Sequence, residues 1–401
     1  MTRNIGLLSV FLVLFLVTRI QGLKLKQVVI LSRHNIRTPL TENLQYTSPN
    51  IFPKWESKAG DLTEKGVLLE EYMGDYFHKW LVKYKLLPKG CPQDESVHIY
   101  ANTRHRTKET AKAFTRGAFK NCNITVYSID SEEMDPIFNP IFRNNSEELK
   151  AVIVSEMQEK INALQLDESY TMLNDILNLK QSKICETNNV CDLRKDKNEI
   201  VYEIGIEPNV NGPLNLGNAI VDSFLMSYYD GKPIENVAWG AIKTPEQWEL
   251  LTKITKENQN IRFNSTILAK EVTAPLLNYM LEIFEGKSPP KFTLLVGHDS
   301  NLNPVMASLD FVPKDLPGQF ERTPVGGKLV FQKWEDDSGK NFLKVDFVYE
   351  SFDQLRSGSV INMENPPQWV SMQIRNCSDK KGFCSWESFL KLLRNSSIFT
   401  P

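Results

Sequence analysis

The chain contains no Cys-x-x-Cys pair and no cluster of cysteine with histidine. A zinc site with the usual ligand spacing is therefore not encoded, and no metal or other cofactor is expected. An excess of charge of one sign is missing too, since 47 Lys+Arg against 49 Asp+Glu leave a formal net charge of −2. That balance gives no reason to expect nucleic acid or an anionic membrane surface as a partner. Beyond residue 22 no apolar run approaches the roughly 20 residues that a spanning helix needs. Internal repeats and low-complexity tracts are also absent, which removes the repeat architectures.

What the sequence does contain begins with a leader. Arg3 precedes an apolar run from Ile5 to Val17, followed by Thr18, Arg19, Ile20, Gln21 and Gly22. A short apolar run behind a basic start fits a secretory signal cleaved near Gly22, with an uncleaved anchor as the other reading. The protein is then expected to be secreted or held in an acidic compartment of the secretory route. Six cysteines fit an oxidising destination. Spacing alone cannot choose among their pairings; Cys185–Cys191 and Cys377–Cys384 are the economical local pairs, leaving Cys91–Cys122. Five Asn-x-Ser/Thr sequons begin at Asn123, Asn144, Asn264, Asn376 and Asn395, and they fit the same route.

The 401 residues, 41% of them hydrophobic, suffice for one large domain with an insertion or for two domains. Residues 25–32 read as a buried strand, 64–85 as an amphipathic helix capped by Thr63, and Val97–Ala101 as a second strand. Thr107–Phe119 reads as a helix and Thr125–Ile129 as a strand. Residues 131–239 are polar, helix-forming and poor in strand signals, with helical pieces at Leu149–Met157, Ile161–Leu166 and Tyr170–Leu179. The α/β pattern returns near Thr244, with strands at Lys291–Val296, Gly327–Trp334 and Leu343–Tyr349. The expected fold is a doubly wound, mainly parallel α/β sheet flanked by helices. Residues 23–130 and 240–401 would form its core, and 131–239 an inserted, mostly helical cap.

Three segments carry chemistry, and each sits where a strand ends: Arg33-His34-Asn35-Ile36-Arg37, Asn102-Thr103-Arg104-His105-Arg106, and Gly297-His298-Asp299-Ser300-Asn301. In a parallel sheet such ends share one edge, where ligands bind. Arginine forks match the oxygens of a tetrahedral dianion. A phosphomonoester can then be cleaved without metal. His34 is the candidate nucleophile, and Arg33, Arg37, Arg106 and His298 are the candidate phosphate donors. Asp299 is the candidate acid for the leaving oxygen and the later base for water. The surrounding arginines should lower the His34 pKa, and Asp299 must hold a proton for part of the cycle, so an acidic optimum is expected. His78, on a helix, and His98, in a strand, are read as structural.

These segments resemble the histidine acid phosphatase branch of the histidine phosphatase superfamily. Within that branch, the pattern is similar to that of the periplasmic glucose-1-phosphatase subfamily. The resemblance rests on Ser32-Arg33-His34-Asn35, where most relatives carry glycine after the histidine. It also rests on Tyr100-Ala101-Asn102, Gly297 to Asn301, and Glu321 to Lys328. It implies a metal-free α/β enzyme with a helical cap, a phosphorylated His34 and a proton-donating Asp299. It implies a sugar contact for Glu207, which the residues alone would place on a surface loop of the cap. It also implies the three disulfides named above.

The expectation is a secreted, metal-independent acid phosphatase acting on small phosphomonoesters: sugar phosphates such as glucose 1-phosphate, and inositol phosphates through added positive charge at Arg104 and His105. The alternatives are a mutase on the same fold, or a secreted binding protein without turnover. Stable membrane insertion of the mature chain is not expected, and the oligomeric state stays open, a homodimer included.

Overall fold

The run Val28 to Leu31 shows how the sheet is covered. All four side chains are fully buried. Val28 and Ile30 pack into one apolar cluster, and Val29 and Leu31 into another. Alternate residues of a strand point to opposite faces, so both faces are covered. The computed structural model describes residues 22–41 and 43–397. Apart from Gly22, the expected leader lies outside the described residues.

In chain order the strands are β1 (Lys24–Arg33), β2 (Val97–Ala101), β3 (Val126–Tyr127), β4 (Glu199–Val201), β5 (Asn209–Asn211), β6 (Phe292–Gly297), β7 (Lys328–Glu335), β8 (Asn341–Tyr349), β9 (Gln368–Met372) and β10 (Phe383–Ser385). The helices are α1 (Glu64–Lys83), α2 (His105–Ala118), α3 (Glu147–Asn162), α4 (Asp167–Leu177), α5 (Lys183–Asn188), α6 (Pro213–Tyr229), α7 (Pro245–Phe263), α8 (Thr266–Glu285), α9 (Asp299–Ser308), α10 (Phe352–Ser357) and α11 (Trp386–Ser397).

Eight strands form one sheet in the order β10-β8-β7-β1-β6-β2-β3, with β9 also on β8. β1, β6, β2 and β3 are mutually parallel. β7 runs against β1, β8 runs against β7, and β9 and β10 run against β8. The mixed sheet thus has a parallel half, and that half positions the site. Helices α1 and α2 cover one face; α8, α9 and α11 cover the other. A third apolar cluster joins α3 to α8, and β4 and β5 pair as a separate hairpin.

Local chemistry explains several boundaries. The Thr63 hydroxyl accepts from the Gly66 amide at 3.1 Å and starts α1. α2 begins two residues before the expected start, because Arg104 is the extended residue ahead of it; Arg106 therefore sits in its first turn. The helical piece expected over 161–166 is instead the end of α3 and a turn. The Ala163 amide closes back on Glu159, and Asp167 opens a new helix.

Helices α1 and α2 pack backbone to backbone. A Cβ on Gly74 would collide with the Phe114 carbonyl, and one on Gly117 with the Glu71 carbonyl. Gly74→Ala is expected to cost about 1–3 kcal/mol, measured as the shift in urea midpoint. An unchanged midpoint would mean that this contact does not hold the helices together.

Three disulfides join Cys91–Cys122, Cys185–Cys191 and Cys377–Cys384, with Cα separations of 5.4, 4.5 and 5.0 Å. Among the described residues no helix is long and apolar enough to cross a membrane.

Candidate active site

β6 lies between β1 and β2 and is parallel to both. Arg33 pairs with Gly297 and Ala101 with Val296, so the three strands end level. The chain crosses from strand to site through backbone bonds: the His34 amide donates to Gly297 O at 3.0 Å, and the Asn102 amide to Val296 O at 3.0 Å. The structure thus brings together His34, Arg33, Arg37, Arg106, His298 and Asp299, all but Asp299 and Arg106 at most 4% exposed.

His34 has a defined tautomer. Its Nδ1 lies 2.8 Å from the Asn35 carbonyl oxygen. A carbonyl can only accept, so Nδ1 carries the proton and Nε2 keeps its lone pair. The same logic fixes His298, whose ring centroid is 5.5 Å from that of His34. Asn102 Oδ1 accepts from the amides of Thr103 (2.7 Å) and Asp135 (3.1 Å). Its amide nitrogen therefore faces His298 Nε2 at 2.8 Å and donates to it. Nδ1 of His298 must then be the protonated nitrogen, and it is buried without a protein partner.

The arginines are held by different means. Arg33 Nη1 donates to Glu321 Oε1 at 3.1 Å and to Thr323 O at 2.6 Å, while Nη2 lies 3.6 Å from Asp299 Oδ2. Arg37 grips Asp222 of α6 through both terminal nitrogens, at 3.0 and 2.9 Å. Arg106 has no ion pair among the described residues and packs against Gly60, whose φ is +79°. The Nε atoms of all three arginines are buried and unpartnered. Burial first, and then Arg37, push Arg106 down to about 9, the mark of a cation short of counter-charge.

These charges set the titration of their neighbours. The His34 pKa falls well below the usual value, chiefly through burial and then through Arg106, Arg33 and Arg37. The direction matches expectation, but loss of water outranks the arginines as the cause. His298 is lowered in the same way, by burial and then Arg106. Asp299 is pushed up by burial, yet the Arg33 and Arg37 guanidiniums outweigh this and hold it at about 2. Its Oδ2 also accepts from Gln259 Nε2 at 3.0 Å.

Glu207, in the β4–β5 loop, is part-buried rather than on an open surface. Its Oε1 pairs with Arg262 Nη2 at 2.7 Å, and burial raises its pKa. Arg104 and His105 are exposed; Arg104 Nη1 donates to Glu132 O at 3.0 Å, and His105 pairs with Asp61 at 3.3 Å. His98 bonds the Tyr279 hydroxyl at 2.7 Å, and His78 bonds the Ala118 and Pro88 carbonyls, both away from this edge.

Residues 24–199 match the histidine phosphatase superfamily (branch 2). The glucose-1-phosphatase of Providencia rettgeri is 41% identical over 92% of this chain and 91% of its own length. The chain belongs to branch 2 of the histidine phosphatase superfamily. Phytase AppA of Escherichia coli is 28% identical over 94% of this branch 2 chain and 93% of its own. Among solved structures, the apo form of Hafnia alvei phytase superposes with a TM-score of 0.87 at 27% identity, covering 94% and 98% of the two chains. This branch 2 member is a histidine acid phosphatase, a hydrolase of phosphoric monoesters.

Sequence reasoning missed the residues that hold the arginines and histidines in place. Asp222 and Gln259 lie in helical stretches with no motif around them. Glu321 and Thr323 belong to the string Glu321–Lys328 that marks the family resemblance, and Asn102 to the string Tyr100–Asn102. Their presence in those strings was the available signal.

Proposed function

We propose that this phosphatase cleaves sugar phosphates such as glucose 1-phosphate, and also inositol phosphates, through a phosphohistidine on His34. The supporting observation is a set of four buried, unpartnered nitrogens, Nε of Arg33, Arg37 and Arg106 and Nδ1 of His298, beside an imidazole with a free Nε2. Buried donors without acceptors are costly, and a phosphate dianion supplies acceptors to all of them.

His34 Nε2 attacks phosphorus, the bond to the leaving oxygen breaks, and Asp299 protonates that oxygen. Water then attacks the phosphohistidine, its proton passes to the Asp299 carboxylate, and inorganic phosphate leaves. In the free site Asp299 is ionised at about 2. A bound dianion offsets the guanidiniums that hold it there, so its proton affinity rises with the substrate in place. A phosphomonoester has its second pKa near about 6, so in acid the substrate carries in the proton that Asp299 needs.

Glu207 is assigned to the sugar hydroxyls, beside the phosphate site. Residues 131–239 are read as a cap inserted between core segments 23–130 and 240–401. The leader, the disulfides and the sequons support export or an acidic secretory compartment. Asn123, Asn376 and Asn395 are exposed and suit glycosylation. Asn144 is half-buried. Asn264 is the poorest acceptor, because its side-chain nitrogen donates to Asn260 and its oxygen accepts from Arg322.

A substrate panel at about pH 5 with His34→Ala as control is the deciding experiment. Glucose 1-phosphate and phytate should both be hydrolysed, and failure on both would overturn the substrate assignment. Arg104 sets the balance between them. Arg104→Ala is expected to lower kcat/KM for phytate roughly threefold relative to glucose 1-phosphate, the scale of one exposed charge. An unmoved ratio removes Arg104 from substrate selection.

A further inference from the structure

Against the residues that flank His34 in the chain lies an ion pair with no exposure. Lys328 Nζ and Glu70 Oε1 are 2.8 Å apart, and both side chains are 0% exposed. Lys328 also donates to Ser32 Oγ at 3.0 Å and to the Gly326 carbonyl at 3.0 Å. Gly326 in turn donates its amide to the His34 carbonyl at 2.9 Å. The other oxygen of Glu70 accepts from Asn35 Nδ2 at 3.0 Å. Asn35 Oδ1 accepts from the Ile36 amide at 2.8 Å, and the Asn35 amide donates to Thr110 Oγ1 at 3.1 Å. Every polar group of Asn35 is thus engaged, including the carbonyl that accepts from His34 Nδ1.

This pair is poorly explained as a device for stability. A buried ion pair commonly gives no more stability than apolar residues of the same volume. Its contacts instead converge on the backbone around one imidazole, from Ser32 before it, from Gly326 on its carbonyl and from Asn35 after it. We propose that Asn35, anchored by the buried Glu70–Lys328 pair, is a positioning residue that holds His34 in the tautomer and orientation with Nε2 free to attack. This rests on the reading of His34 as nucleophile. None of the three residues need touch the phosphate; they act through the carbonyl that accepts from Nδ1. Loosening that carbonyl lets the imidazole proton move to Nε2, where it blocks attack, while the arginines still bind substrate.

The test uses the full mature enzyme with two variants. Asn35→Ala removes the anchor. Glu70→Leu with Lys328→Met removes both charges together and leaves neither buried alone. Each is expected to lower kcat at least about tenfold, with KM within about threefold, since tautomer control acts on turnover more than on binding. In 15N NMR of the imidazoles, wild-type His34 should show a protonated Nδ1 and a bare Nε2, and the variants a mixture. Cooperative melting confirms that a variant is folded, and if the double variant does not fold, Asn35→Ala decides. A folded Asn35→Ala enzyme with kcat within about twofold of wild type and one His34 tautomer overturns the proposal. His34→Ala separates the two failures. If it still turns over and no phosphohistidine is trapped, the nucleophile reading falls and this proposal with it. If it is inactive while Asn35→Ala matches wild type, only the positioning role falls.

Discussion

His34→Ala should lose at least about a thousandfold in turnover, because the Nε2 lone pair of His298 is taken up by Asn102 and the Asp299 carboxylate is engaged by Gln259 and Arg33. Rapid acid-free quenching of wild type with substrate should trap phosphate on His34. The Asp299 side chain gives a sharper test, because the two jobs proposed for it fall on different steps. As acid it matters in proportion to how badly the leaving oxygen needs a proton. Asp299→Asn should therefore slow formation of the phosphohistidine from glucose 1-phosphate by about 10²–10⁴-fold. Formation from p-nitrophenyl phosphate, whose phenolate departs unprotonated, should fall far less. Release of phosphate from the intermediate should slow equally for both, because water attack is common to them. Single-turnover measurement separates the steps. Equal losses in the first step for the two substrates would take the acid role away from Asp299 and leave it only the electrostatic one suggested by its 3.6 Å approach to Arg33.

How much of this was legible depends on whether a residue's partners are local. The strand ends were, because a buried apolar run followed by polar residues is a one-dimensional signal. Val28 to Leu31 leading to Arg33-His34 and Leu294 to Val296 leading to His298-Asp299 both carry it. The parallel pairing of β1, β6 and β2 then follows from the crossover helices between them. The counter-charges were not legible. Asp222 meets Arg37 from 185 residues away, and Glu321 meets Arg33 from 288. Nothing in the sequence around Asp222 distinguishes it from a solvent-facing helical acid. The weight of burial in the His34 shift was hidden for the same reason, since it depends on what packs over the ring rather than on its neighbours in sequence. Glu207 shows the limit in the other direction. A loop position in a polar, helix-forming stretch reads as surface, but Arg262 from α7 pairs with it.

Stability should peak near neutral pH and fall on both sides, and one carboxyl should account for most of the alkaline fall. Glu350 is fully buried, and neither of its oxygens has a hydrogen-bond partner in the protein. Burial, and then Glu70, push its pKa up from 4.5 to about 8. The native state thus keeps this proton through neutrality, whereas the unfolded chain gives it up near 4.5. The unfolded state binds fewer protons over that range, so stability is fully present below the unfolded value and is lost as pH rises to about 8. At about 1.4 kcal/mol per pH unit the loss reaches about 5 kcal/mol. His34 and His298 act with the opposite sign. Both are held neutral in the native state, so below the unfolded value of about 6.5 each costs about 1.4 kcal/mol per unit as pH falls. Two histidines outweigh one glutamate below about 6.5, and above it Glu350, the most strongly raised carboxyl, sets the decline. Urea unfolding of wild type and Glu350→Gln across this range isolates the term. The variant cannot ionise, so it should keep the acid limb and lose most of the decline between about 6.5 and 8. Parallel curves for the two proteins would show that Glu350 ionises in the folded state as it does in the unfolded chain.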